Sequence, residues 1–147
     1  MKNILNRIFT ALAAATMLLA VSCSKTAPET TQYLEVNASN LHGDWELVSI
    51  KGQPLEEGAS FRINFNRSGE EFKIWNAMNS IPSSYDYSEG TFKLDDDPEL
   101  GTYIRGIDNA GEEWGDLYVI KELTRTDMTW VGVNNPSFVQ TFSRINK

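Results

Sequence analysis

Among its 147 residues the chain has one histidine, His42, and one cysteine, Cys23. A serine nucleophile needs a neighbouring base, so a Ser-His-acid arrangement would rest entirely on His42. Structural zinc needs a larger set of nitrogen and sulfur ligands than one His and one Cys supply. The acidic run Asp95-Asp96-Asp97-Pro98-Glu99 could attract calcium, but calcium loops space their carboxylates as D-x-D-x-D-G, and this run does not. It reads as a solvated hairpin turn, as does Asp108 to Glu113. No glycine-rich loop precedes a helix, so a nucleotide has no cradle. The chain is therefore expected to be no enzyme, with no cofactor and no metal. What remains is aromatic: Trp45, Trp75, Trp114 and Trp130, with seven Phe and five Tyr. Such side chains bind by apolar contact and stacking, and do so only where a fold gathers them around one space.

The cysteine has a chemistry of its own. Lys2 and Arg7 precede an uncharged run, Ile8 to Val21, too short to span a bilayer, and small residues lead up to Cys23. This is the pattern of a bacterial lipoprotein signal, with Cys23 as the lipidated mature N-terminus. The position three before the cysteine is Ala20, where such signals usually have Leu; Leu18 and Leu19 lie just upstream. Several acyl chains anchor a protein stably where one does not. The expected partner is thus a membrane, reached through the N-terminal lipid, in the cell envelope. Ser24, in place of Asp, after the cysteine points to the outer membrane of a diderm bacterium.

Residues 1–22 are then leader, 23–40 the lipidated cysteine with a polar tether, and 41–147 a single folded domain. The leader removes two of 13 basic residues and none of the 20 acids, so 11 − 20 leaves a formal charge of −9. That balance excludes a nucleic-acid partner, which would need clustered Lys and Arg. A lone cysteine excludes an internal disulfide, so the domain is held by its core. A monomer is expected.

After residue 43 the apolar residues alternate. Phe61-Ile63-Phe65 interleave with Arg62-Asn64-Asn66, and Trp45-Leu47-Ser49 with Glu46-Val48-Ile50. Further strands are predicted at Phe72 to Ile74, Tyr85 to Leu94, Leu100 to Ile107, Trp114 to Leu123, Met128 to Val133 and Phe138 to Ile145. Short polar turns separate most of them, Gln53 to Ala59 forms a longer loop, and Met78 to Ser84 is a loop or short helix. About eight strands joined by hairpins predict an all-β fold, a small up-and-down antiparallel barrel whose closure leaves no exposed edge.

Gly43-Asp44-Trp45 resembles the G-x-W opening of the lipocalins and the wider calycin superfamily. With the segments downstream of it, the chain is similar to the small lipocalin-like lipoproteins of Bacteroidota. The segments are Trp45 to Ser49, Phe61 to Phe65, Gly90-Thr91-Phe92, Gly101 to Tyr103, Trp114 to Tyr118 and Phe142-Ser143-Arg144. The resemblance implies that Trp45 plugs one end of the barrel and that Arg144 packs across its ring, a structural pair worth about 0.5–2 kcal/mol.

Strand alternation turns Trp45, Leu47, Phe61, Ile63, Phe65, Phe72, Ile74, Met128, Trp130, Phe138, Gln140 and Phe142 inward, with Ser49 as a further polar member. Of these, Phe61, Ile63, Phe65, Phe72, Ile74, Met128, Trp130 and Gln140 are the candidates to line a ligand site. Trp75 faces outward. An eight-stranded barrel has room inside for side chains or for one small ligand. Two functions stay open: a barrel that binds a small apolar ligand, or an envelope interaction protein with a packed barrel that meets a protein or glycan through its outer face.

Overall fold

A computed structural model describes residues 30–78 and 86–145. Cys23, the leader, residues 24–29 of the expected tether and nearly all of the Met78–Ser84 segment lie outside the described residues. The chain divides into Met1–Thr30 and a compact unit, Thr31–Lys147, which holds every strand found among the described residues.

Among the described residues nine strands form: β1 (Gly43–Ile50), β2 (Gln53–Pro54), β3 (Ser60–Asn66), β4 (Glu71–Ala77), β5 (Asp86–Asp97), β6 (Gly101–Asp108), β7 (Tyr118–Leu123), β8 (Asp127–Gly132) and β9 (Val139–Arg144). Apart from β2, each pairs antiparallel with the next in the chain, and β9 returns to β1. The result is the all-β, closed, eight-stranded up-and-down barrel that the alternation predicts, with β2 as an extra strand on the edge of β1. This architecture is compatible with a lipocalin-like fold.

Alternation sorts the side chains. Trp45, Ile63, Phe65, Phe72, Phe92, Ile104, Met128 and Phe142 are fully or almost fully buried within the barrel. Arg62, Lys73, Lys93, Lys121 and Glu122 are exposed outside it. Apolar inside and polar outside is the reverse of a membrane-spanning barrel.

Four local expectations need correction. Lys51 and Gly52 take φ of 52° and 75°, the geometry of a tight hairpin turn, so Gln53 and Pro54 pair with Ile50 and Ser49 instead of opening a loop. A register shift between Leu47 and Ser49 flips the alternation at the end of β1. Ile50, not Ser49, therefore lies opposite the inward Gln140. Trp114 is not in a strand, since β7 starts only at Tyr118. Finally, packing begins before residue 41: the Leu34 amide donates to the Leu123 carbonyl at 2.7 Å, and Leu34, Val36 and Ala38 sit against the core.

Candidate functional site

The two ends of the barrel differ. At one end a short helix, α1 (Ala38–Leu41), capped by the Asn37 side chain on the Asn40 amide at 2.9 Å, brings fully buried Leu41 under Trp45. The Trp45 indole N–H donates to the Leu41 carbonyl at 2.8 Å. The Arg144 guanidinium carbon lies 4.1 Å from the centroid of the Trp45 ring. The same guanidinium donates to the carbonyls of Asn40 (2.7 Å), His42 and Arg125 (2.8 Å). Burial pulls the Arg144 pKa below its ordinary value, yet an arginine remains charged throughout the physiological range. Helix, tryptophan and arginine together plug this end. Ile63, Phe65, Phe72 and Met128 belong to this packed half; Phe65 meets Phe92 edge to face at 5.1 Å.

The other end holds a cavity of about 370 Å³. Leu47 and Ile50 from β1, Phe61 from β3, and Ile74 and Asn76 from β4 form one side. Trp114, Tyr118, Trp130, Phe138 and Gln140 form the opposite side, and Met78 closes on it from the end of β4. The aromatic wall is layered: Tyr118 stacks on Trp130 at 4.7 Å and 22°, Trp114 tilts against Trp130 at 6.0 Å, and Phe142 meets Trp130 edge-on at 4.7 Å. Burial first, then the Asp116 carboxylate, raises the Tyr118 phenol above its ordinary pKa, so it stays protonated at neutral pH.

Of the eight candidate lining residues, the structure brings Phe61, Ile74, Trp130 and Gln140 together around the cavity. Ile63, Phe65, Phe72 and Met128 are inward but too deep. Alternation says which face a side chain takes and not how far along the barrel it sits; the strand register decides depth. Tyr118, the first residue of β7, also lines the cavity, and Trp114 escapes strand alternation because the loop before β7 runs back along β6. The Trp114 amide donates to the Gly106 carbonyl at 3.0 Å, and the ring drops into the barrel over Gly106. A β-carbon on Gly106 would fall 2.2 Å from that ring, so a glycine in β6 was the available sequence signal.

His42 is exposed, with its Nδ1 3.0 Å from the Phe65 carbonyl. Asp97 accepts the backbone amides of Glu99 and Leu100 at 2.8 and 2.9 Å, which closes the β5–β6 turn and lowers its pKa. Trp75 turns outward and meets Tyr87 at 5.7 Å. Among the described residues no three His, Cys, Asp or Glu side chains converge on a common point. The chemistry on offer is apolar contact, aromatic stacking and a few neutral hydrogen bonds. Comparison with protein-family models, with curated proteins and with solved structures finds no match to this chain.

Proposed function

We propose that this chain is a lipid-anchored, non-enzymatic lipoprotein of the cell envelope, a lipocalin-like member of the calycin superfamily of the Bacteroidota type, whose barrel binds a small apolar ligand. The observation that carries this reading is the cavity of about 370 Å³ with its aromatic wall. Its size falls within the range of small-molecule pockets, roughly 300–1,000 Å³, and its lining has their character: mostly apolar, with few polar groups. The anchor rests on the signal pattern ending at Cys23, and the outer membrane on Ser24. The described chain reaches the barrel at the plugged end, where the Leu34 amide meets the Leu123 carbonyl.

The test uses the unit from Thr31, which closes its own barrel around its own core. An apolar aromatic probe should change tryptophan emission saturably, and Trp130→Phe should diminish that change. If no apolar probe produces a saturable change in delipidated protein, the ligand-binding reading fails. Cys23→Ala in the full chain should abolish acyl labelling and leave unprocessed precursor; normal labelling would refute the anchor.

A second reading has one observation in its favour. Trp75 and half-exposed Tyr87 form an aromatic pair on the outer face, a platform for a glycan or another protein. A silent cavity together with binding that Trp75→Ala abolishes would put this reading first.

A further inference from the structure

Two amide side chains line the cavity: Asn76, half-buried at the end of β4, whose Oδ1 accepts the Met78 amide at 3.0 Å, and Gln140, the buried one, which stands among the aromatic residues with half of its hydrogen-bonding capacity unused. Gln140 is only 7% exposed, and its Oε1 accepts the Trp130 indole N–H at 2.7 Å. An indole nitrogen only donates. The amide is therefore fixed in orientation: its oxygen must face Trp130, and its NH2 must face elsewhere. That NH2 group takes no partner among the described residues, yet it is not sealed from solvent as the orphaned Trp114 Nε1 is. Gln140 lines the cavity, so the space its NH2 reaches is the cavity itself.

A ligand that fills the cavity displaces the water this donor can meet, so one that brings no acceptor leaves the donor unpaired at a cost, and one that brings an acceptor oxygen avoids that cost. The charge of the ligand is constrained by the same lining. No Lys, Arg or His borders the cavity among the described residues, and a carboxylate taken from water without a cation is strongly disfavoured. Size is constrained as well: at roughly 30 Å³ per water-sized group, 370 Å³ holds about a dozen non-hydrogen atoms.

We propose that the cavity selects an uncharged molecule of about a dozen non-hydrogen atoms with an apolar body and one acceptor oxygen, a ketone, ester or amide, which takes its hydrogen bond from the Gln140 amide. Free fatty acids in their ionised form are selected against. The inference rests on the apolar-binding reading above and adds the ligand's polar end to it. Trp130 has two parts in this site: its ring packs in the wall, and its N–H sets which way Gln140 points.

The experiment titrates the Thr31–Lys147 unit with n-decane, 2-decanone and decanoate at slightly alkaline pH, read by tryptophan emission. The wild-type protein should bind 2-decanone at least tenfold more tightly than decanoate. Gln140→Met removes the donor at similar volume, and should weaken 2-decanone about five- to tenfold while changing n-decane less than twofold. Because that substitution also strips Trp130 of its partner and could impair folding, the carbonyl stretch of 2-decanone bound to wild-type protein provides a second measurement. It should lie at its hydrogen-bonded position and not at its position in hydrocarbon. An unshifted carbonyl band, equal binding of decanoate and ketone, or equal losses of ketone and hydrocarbon in Gln140→Met overturns the proposal. In each of these outcomes apolar binding still stands. Failure of all three probes to bind wild-type protein overturns the apolar-binding reading as well.

Discussion

Arg144 lies over Trp45 at 4.1 Å and, from that place, holds three backbone carbonyls of the chain around it. Two of them, on Asn40 and His42, flank Leu41 at the entrance to β1; the third, on Arg125, lies in the β7–β8 turn. One side chain thus ties the first strand, the last strand and a hairpin at the plugged end. Arg144→Ala loses the ring contact and leaves those carbonyls to water, and should cost about 2–3 kcal/mol. At roughly 4 °C per kcal/mol for a domain of this size, the melting temperature should fall about 8–12 °C. Arg144→Lys should restore less than half, since one ammonium cannot span three separated acceptors. An unchanged melting curve would refute the tie.

Gly43 makes room for that arginine. Its φ is +126°, and a β-carbon there would stand 2.9 Å from the Arg144 Nη1. Gly43→Ala meets both a backbone penalty and a clash at the tie, so a loss of about 1–3 kcal/mol is expected in urea titrations. In the Arg144→Ala background the clash is gone and only the backbone part remains, so the two losses should sum to more than the double variant shows.

Much of this was legible in the sequence because a closed barrel arises from short-range rules. Alternation at Phe61-Ile63-Phe65 sets faces, and the polar turns set hairpins, so strand order is determined. Depth along the barrel was not legible: Phe61 and Phe65 share a face, yet one lines the cavity and the other packs in the plugged half. Their positions depend on pairings such as Gly43 with Phe65 and Ser60 with Ala77, which are long-range. A bulge shifts the pattern by one residue, which is how Ile50 replaced Ser49 on the inner face. Trp114 escaped strand logic altogether, because a loop carries it inward.

Tyr118 predicts a feature of the alkaline limb. Burial, with a smaller contribution from Asp116, raises its pKa above 10.0. The folded protein therefore holds this proton longer than the unfolded chain does. The associated stability is fully present below about pH 10 and is lost as pH rises through the folded value. Phenolate absorbance should show late-titrating tyrosines: Tyr118, and also Tyr87, whose hydroxyl donates to Glu89 at 2.5 Å. Tyr118→Phe should remove one of them and flatten the alkaline fall in stability. A Tyr118 that titrates with the free amino acid would mean that its hydroxyl is solvated, contrary to this prediction.

Trp114 shapes the cavity from a loop. It meets Phe72 at 4.9 Å, Trp130 at 6.0 Å and Tyr118 at 6.2 Å, and the seat of its loop on β6 is Gly106. The neighbouring seam is short, with only Tyr103–Val119 and Ile104–Tyr118 paired between β6 and β7. Gly106→Val would place methyl groups where the indole lies, and the loop can yield more easily than the strand. Expulsion of Trp114 should shift tryptophan emission to the red, cost about 1–3 kcal/mol, and enlarge the cavity. Probe specificity should then move toward bulkier ligands, whereas Trp114→Phe, which keeps the aromatic seat, should change it little. If Gly106→Val leaves emission and probe specificity as in the wild type, Trp114 does not set the size of the site.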